Sequence, residues 1–286
     1  MTPVPMLAHK YPEKPMAFPC YVQPKLDGVR CLVYLEDDAL TCMSRNGKPL
    51  HIPPCIAALP DAILEMLAEG LVLDGELYIH RAGFSTIVSM VKREKHPDAA
   101  RLEYHVYDCF YRNPDGVQAF IPGQVEFKSR IHLLQGMVAP ILAEAHLDSV
   151  KVVTTIQVTT KVGADSFHKQ QVGLGYEGTM LRDPSSRYAH KRSTGLLKRK
   201  DFHDNEFSIE AVEEGEGKNA GTAVLTCVAK NGSSFTATAP GTYEEKAECW
   251  RNRSFYIGKK VTIKYQELTD DGIPRFPIAT GFPVDR

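Results

Sequence analysis

Lys25, two residues ahead of an Asp-Gly pair in Gln23-Pro24-Lys25-Leu26-Asp27-Gly28-Val29-Arg30, is the residue whose type and setting most suggest chemistry. Tyr21-Val22 before it and Val29 to Leu35 after it read as strands, so the intervening turn puts the Lys25 amine at the mouth of a sheet. Nearby cations or a metal there favour the neutral amine, which is a nucleophile. Taken alone, the string also fits an exposed hairpin turn.

Its companions change that balance. In order come Ser44-Arg45-Asn46-Gly47-Lys48, Leu73-Asp74-Gly75-Glu76-Leu77-Tyr78, Tyr104-His105-Val106-Tyr107-Asp108, Tyr176-Glu177-Gly178-Thr179-Met180-Leu181-Arg182 and Leu197-Lys198-Arg199-Lys200. Singly, each has a plain structural reading: Glu76 as a strand-edge charge, Tyr107 as a core aromatic, Lys198 and Lys200 as the solvated face of a strand. As an ordered set over residues 23–200 they resemble the nucleotidyltransferase motifs of the superfamily of ATP-dependent DNA ligases, RNA ligases and mRNA capping enzymes.

The resemblance implies a lysine that attacks the α-phosphate of ATP, expels pyrophosphate and carries AMP as a phosphoramidate; Lys25 holds that position. It further implies that Gln23 reads the adenine edge, Arg30 and Arg45 contact nucleic-acid phosphate or nucleotide, Glu76 meets the ribose, and Tyr107 stacks on adenine. Glu76 and Glu177 are the implied ligands of Mg2+ or Mn2+. Lys198 and Lys200 would neutralise the α-phosphate and leaving group, with Arg192 assigned to phosphate contact. The residue types suit the reaction, because attack on a phosphoanhydride builds negative charge on oxygen, which lysines and an oxygen-ligated metal offset.

Within the superfamily the chain resembles a minimal two-domain ATP-dependent DNA ligase of phage or bacterial type, acting on nicked double-stranded DNA as a cytoplasmic monomer. The alternatives are an RNA ligase, a capping-type guanylyltransferase, or a nucleotide-binding module without catalysis. Only about two dozen residues precede Lys25, so no separate N-terminal DNA-binding domain is expected. Gly272-Ile273-Pro274-Arg275-Phe276-Pro277 resembles the strand leading to the last ligase motif, yet the chain closes Pro283-Val284-Asp285-Arg286 where R-x-D-K is expected, with Arg286 or Arg275 as substitutes.

The elements that must carry these residues read as an α+β fold. Helices are expected over Ala62–Ala68, Ser85–Arg93, Phe127–Val138 and Asp165–Val172, and strands over Glu103–Phe110 and Lys151–Val158, with Leu71-Val72-Leu73 broken from Leu77-Tyr78-Ile79 by Asp74-Gly75. Arg187 to Lys200 has six Lys/Arg and no acid, whereas Glu206 to Glu216 has five Glu and no Lys/Arg. This shift sets a boundary at 203–205. Residues 1–203 are expected to form a nucleotidyltransferase domain, ATP-grasp-like, of antiparallel sheets with flanking helices. Residues 204–286, with strands at Val224–Ala229, Phe235–Ala239, Lys260–Gln266 and Ile273–Gly281 around a helix at Tyr243–Arg251, suit an OB-fold barrel.

Two glycine strings are decoys. Gly173-Leu174-Gly175-Tyr176-Glu177-Gly178 spells G-x-G-x-x-G but follows a helix and precedes a strand, the reverse of a dinucleotide site, and Gly215-Glu216-Gly217-Lys218 lacks Walker spacing. The chain has 286 residues, 43% hydrophobic and 24% charged, which excludes disorder. No apolar run is long enough to span a bilayer, and no signal peptide is evident, so no membrane association is expected. Seven scattered cysteines without C-x-x-C spacing read as buried free thiols. With 34 Lys+Arg against 35 Asp+Glu the formal charge is −1; its distribution, gathered at Lys25–Arg30, Arg45–Lys48 and Arg187–Lys200, is what suits a nucleic-acid partner.

Overall fold

Short apolar runs punctuated by turns build sheets here rather than a helical bundle. The computed structural model describes residues 3–112, 125–269 and 271–283. It divides into two units, Met1–Arg199 and Lys200–Arg286, and β-structure dominates both. The first carries β1 (Leu7–Lys10), β2 (Cys20–Lys25), β3 (Val29–Glu36), β4 (Ala39–Ser44), β5 (Pro49–Leu50), β6 (Leu71–Tyr78), β7 (Glu103–Tyr111), β8 (Val150–Val152), β9 (Ile156–Val158), β10 (Gly178–Arg182) and β11 (Arg192–Lys200). They form one sheet in the order β1-β11-β10-β2-β9 and another in the order β5-β4-β3-β6-β7-β8. β1 meets β11 and β7 meets β8 in parallel, while β2 pairs antiparallel with β9 and β10, and β5, β4, β3, β6 and β7 pair antiparallel in turn.

Alternation along the strands sorts side chains into layers. Cys31, Val33, Leu71 and Leu73 pack with the helices Asp61–Ala68 and Phe84–Lys92. From the opposite face Leu32, Tyr34, Val72 and Phe110 join Met6, Tyr188 and Leu196, and so meet the other sheet. The far side of that sheet packs Val22, Leu181 and Leu197 on Ala164 and Phe167 of the helix Lys161–Gly173.

The structure differs from expectation at three places. Asp74-Gly75 does not break a strand: β6 runs through it, pairing with β3 from Val33↔Leu73 to Val29↔Leu77 and shifting register against β7. Glycine is required because a Cβ at position 75 would lie 2.6 Å from the His105 carbonyl oxygen and from the Tyr104 ring. The single strand expected over Lys151–Val158 is two, β8 in one sheet and β9 in the other, with Thr155 crossing between them. The helix from Phe127 continues to Glu144 through a π-helical turn at Leu134–Val138. Pro140 follows that turn and cannot donate a helical hydrogen bond, which accounts for the widening ahead of it.

A buried charge cluster joins the sheets. Asp108 of β7 is fully buried and accepts from Arg130 Nε at 2.7 Å, Arg130 Nη2 at 3.1 Å, Arg182 Nη1 at 2.6 Å and the Cys109 backbone N–H at 2.8 Å. The two arginines hold its carboxyl below the usual range against the opposing effect of burial.

In the second unit β12 (His203–Glu214), β13 (Ala223–Val228), β14 (Ser234–Thr238), β15 (Lys260–Tyr265) and β16 (Ile278–Gly281) pair antiparallel in the order β14-β13-β12-β15-β16. The edge strands β14 and β16 approach each other, so the sheet curls as an OB fold does. Phe207, Ile209, Leu225, Val261 and Ile263 point into its core. The glutamates 206 and 210 alternate with them on the solvent face of β12. A capping box of Thr242 and Glu245 starts the helix Tyr243–Arg251. All seven cysteines are buried and free. Among the described residues no helix is long and apolar enough to cross a membrane.

Removing the Asp108 carboxylate would leave Arg130 and Arg182 uncompensated in the interior. Asp108→Ala is expected to destabilise the chain by about 3–5 kcal/mol in a denaturant titration. A loss under about 1 kcal/mol, the range of a surface ion pair, would show that the cluster does not hold the sheets.

Candidate active site

The Lys25 position follows from strand pairing. Lys25 ends β2 opposite Gly178 of β10, which brings the preceding Glu177 alongside: the Glu177 backbone N–H donates to the Lys25 carbonyl at 3.2 Å. The two side chains close the loop, the Lys25 ammonium pairing with the Glu177 carboxylate and reaching the Leu26 carbonyl at 3.3 Å. Gly28 of the same turn is fixed by close approach, because a Cβ there would lie 2.3 Å from the Leu77 carbonyl oxygen and 2.8 Å from Glu76 Cγ. The Lys-x-Asp-Gly turn therefore rests directly on β6 beside Glu76.

Across β3, β6 and β7, Arg30 pairs with Glu76 and Glu76 with His105. Tyr107, two residues on, donates its hydroxyl to Glu76 at 3.2 Å. Burial pushes the Glu76 carboxyl up to about 7, although Lys25, Arg30 and the Tyr107 hydroxyl all favour its ionised form. Burial also pushes the Tyr107 phenol well up, consistent with its role as donor. Arg30 is held through all three guanidinium nitrogens. Its Nε and Nη2 reach Asp74 at 2.8 and 2.5 Å, and Nη1 reaches the Met6 carbonyl at 2.6 Å. Tyr188 donates to the same Asp74 at 2.7 Å.

Lys25, Arg30, Glu76, Tyr107 and Glu177 are thus brought together. Other expected residues lie differently. Gln23 is buried and its amide is engaged at both ends: Nε2 donates to the Tyr107 carbonyl at 2.9 Å and to Thr155 Oγ1 at 2.8 Å, while Oε1 accepts from Arg182 Nε at 2.7 Å. Both donors of the amide are therefore engaged within the protein, and one acceptor position on Oε1 is left. Arg45 is exposed in the turn between β4 and β5, just past the Cys31–Ser44 pair that follows Arg30. Arg192, also exposed, donates to the Ala8 carbonyl and so ties β1 to β11. Lys198 is half-buried on β11, two strands from Lys25. Lys200 belongs to the second unit, where it donates to Gln266 at 2.9 Å. Asp285 and Arg286 lie outside the described residues; Arg275 pairs with Glu267.

Sequence reasoning assigned no role to Asp74, Asp108, Arg130, Arg182, Tyr188 or Thr155. Asp74, Asp108 and Arg182 stand inside the quoted motifs, which was the available signal; nothing local marks the other three. Among the described residues no three His, Cys, Asp or Glu side chains cluster as a metal cage. Glu76 and Glu177 still fit Mg2+ or Mn2+, hard cations that take one or two protein carboxylates beside phosphate oxygens. A carboxyl that burial holds near neutrality is the kind that gains from an added cation.

Residues 5–200 match the family model described as the ATP dependent DNA ligase domain, and residues 214–282 match the DNA ligase OB-like domain. The chain belongs to the ATP-dependent DNA ligase family. A DNA ligase of Haemophilus influenzae is 27% identical over 272 residues, covering 95% of this chain and 89% of that one. An African swine fever virus DNA ligase is 26% identical over 275 residues, covering 91% of this chain and 62% of its own length. Among solved structures, Pmar-Lig_PreS3 aligns with a TM-score of 0.80 at 26% identity, over 98% of this ligase and 67% of that chain. A Lig E DNA ligase, described as binding DNA with a minimal scaffold, shares the fold at TM-score 0.75 and 24% identity, over 99% of this ligase and the whole of that chain.

The raised Glu76 carboxyl gives the ligase a pH signature. Between about 4.5 and about 7 the folded chain keeps a proton on Glu76 that the unfolded chain has released, so stability falls as pH rises through that window and levels off above it. Glu76→Gln is expected to flatten this segment and to stabilise the nucleotide-free chain above neutrality by about 3 kcal/mol at most. Denaturation at pH 5 and pH 8 checks it; an unchanged pH slope would place the burden elsewhere.

Proposed function

We propose that this ligase seals 5′-phosphate/3′-hydroxyl nicks in duplex DNA through an AMP adduct on Lys25. The observation that carries the proposal is the placement of the Lys25 amine on the Glu177 carboxylate at the end of β2, with Glu76, Arg30 and Tyr107 on the strands facing it. An amine in that setting meets the requirement for attack on an α-phosphate: it is fixed, partly shielded from water and surrounded by groups that can bind a nucleotide.

Lys25 Nζ attacks the α-phosphorus of ATP, forming a P–N bond as the bond to pyrophosphate breaks. The 5′-phosphate of the nick then takes AMP from Lys25, and the 3′-hydroxyl displaces AMP to close the strand. Glu177 holds the Lys25 side chain in place and accepts from its ammonium before reaction. Tyr107 and Arg30 set the position of Glu76, which faces the ribose, and Lys198 supplies positive charge for the phosphates. A divalent cation held by Glu76, Glu177 and the nucleotide phosphates would supply further charge neutralisation. Gln23 acts here through the Tyr107 backbone and Arg182, as a positioning residue.

Incubation with α-labelled ATP and a divalent metal, followed by a denaturing gel, tests the adduct. ATP label on the chain, absent from Lys25→Ala, is the expected result, with sealing of ordinary nicks lost by several orders of magnitude and closure of pre-adenylated nicks partly kept. Label from GTP alone would indicate capping chemistry, and retained label in Lys25→Ala would overturn the assignment of the nucleophile.

A further inference from the structure

The helix Lys161–Gly173 closes on a glycine. The Gly175 N–H donates to the Val172 carbonyl at 3.0 Å and the Tyr176 N–H to the Gln171 carbonyl at 3.1 Å, with Gly175 at φ +95°, the pattern by which a helix end satisfies its last carbonyls. That turn delivers the chain to Glu177, whose own N–H donates to the Lys25 carbonyl. The Leu174 carbonyl takes no part in the closure, and His80 engages it: Nε2 lies 3.1 Å away. A carbonyl only accepts, so Nε2 carries the proton, and Nδ1, 2.9 Å from the Tyr78 hydroxyl, accepts from Tyr78.

Tyr78 ends β6 two residues beyond Glu76, on the same face of the strand by alternation, and it is buried. Its ring stacks on Tyr176 at 6.5 Å, and the His80 ring meets Tyr176 at 4.8 Å. His80 and Arg81, the latter at φ +61°, are the central residues of a turn closed by the Ala82 N–H on the Ile79 carbonyl at 3.1 Å. The imidazole is therefore set by a closed turn on one side and by Tyr78 on the other. A line of contacts runs from the strand that carries Glu76, through the Tyr78 hydroxyl and the His80 ring, to the turn that delivers Glu177.

We propose that His80 is a positioning residue: by tying the Leu174 carbonyl to Tyr78 it sets the separation of Glu76 and Glu177, and with it the fit of the divalent cation that the two carboxylates would share. This rests on the nick-sealing reading above. Ligands held in place before a cation arrives lose less freedom on binding it, and groups just outside the ligand set commonly change metal affinity by about 10–100-fold. His80 itself is exposed, and a hydrogen bond open to water adds little to folding, so the tie can be removed without unfolding the chain.

His80→Phe keeps a ring against Tyr176 and deletes both hydrogen bonds, whereas His80→Gln keeps an amide N–H for the Leu174 carbonyl. The full chains are compared for melting temperature, for loss of the free Mn2+ signal in electron paramagnetic resonance with α,β-methylene-ATP present, and for labelling of the chain from α-labelled ATP over a Mg2+ series. His80→Phe is expected to melt within about 2 °C of the parent and to bind Mn2+ about tenfold more weakly. It should need about tenfold more Mg2+ for half-maximal labelling, with the rate at saturating Mg2+ returning to within about twofold of the parent. His80→Gln should recover most of the Mn2+ affinity. Parent-like Mn2+ binding in His80→Phe would overturn this proposal alone. So would a labelling defect that saturating Mg2+ does not restore, or a large fall in melting temperature, which would make His80 structural. A parent chain that takes no label from ATP would overturn it together with the ligase reading beneath it.

Discussion

Asp108 lies between Arg130 and Arg182 with no exposure to water, and the position of Lys25 can be traced from it. A lone carboxylate at that depth would be neutral or the chain unfolded; two guanidinium groups make its charge tolerable, at the condition that both stay. Arg182 thereby fixes the end of β10, and through its second hydrogen bond it orients Gln23 on β2. Gln23 then reaches the Tyr107 carbonyl on β7 and Thr155 at the crossing between sheets, and Gln135 of the π-helical turn donates to the Thr155 carbonyl at 3.3 Å. The polar ring closes on the helix that also carries Arg130. Lys25 is two residues beyond Gln23 on the same strand, so its register against Glu177 is set by contacts within the protein.

Much of this was legible in the sequence and the remainder was not, for identifiable reasons. Lys25, Glu76, Tyr107 and Glu177 sit in strings whose order points to one place in a fold, and the helices near Asp61 and Tyr243 carry local start signals. Arg130 is 22 residues from Asp108 and Arg182 is 74, and no local pattern distinguishes them from surface arginines; only the sheet topology brings them together. Gln23 shows a related effect. A polar side chain two residues from Lys25 suggests ligand contact, yet both its donors and one of its acceptor positions are taken by neighbours remote in sequence. Asp74-Gly75 reads as a turn, which is its local preference, and tertiary pairing with β3 overrides that preference because glycine alone admits the His105 and Tyr104 contacts.

The site also sets two carboxyls against each other in their response to positive charge. Glu177 already has a cation, the Lys25 ammonium, whereas Glu76 has none of its own, being near Lys25 and Arg30 while Arg30 is committed to Asp74. The ionised form of Glu76 is therefore the one that gains most from an added positive charge.

Charge bookkeeping over the whole chain hides this. A formal charge of −1 counts Arg30, Arg130 and Arg182 as equal to any surface lysine. All three are largely buried and paired within the fold, Arg30 with Asp74 and Arg130 and Arg182 sharing Asp108, so they shape the interior rather than present charge at the surface. What remains at the surface is exposed cations at the Arg81 turn and after the Phe84–Lys92 helix, and glutamates set apart on the solvent face of β12. Screening confines each to about 8–10 Å at ordinary salt, so the local sign governs the encounter and a near-zero total is no obstacle to binding nucleic acid.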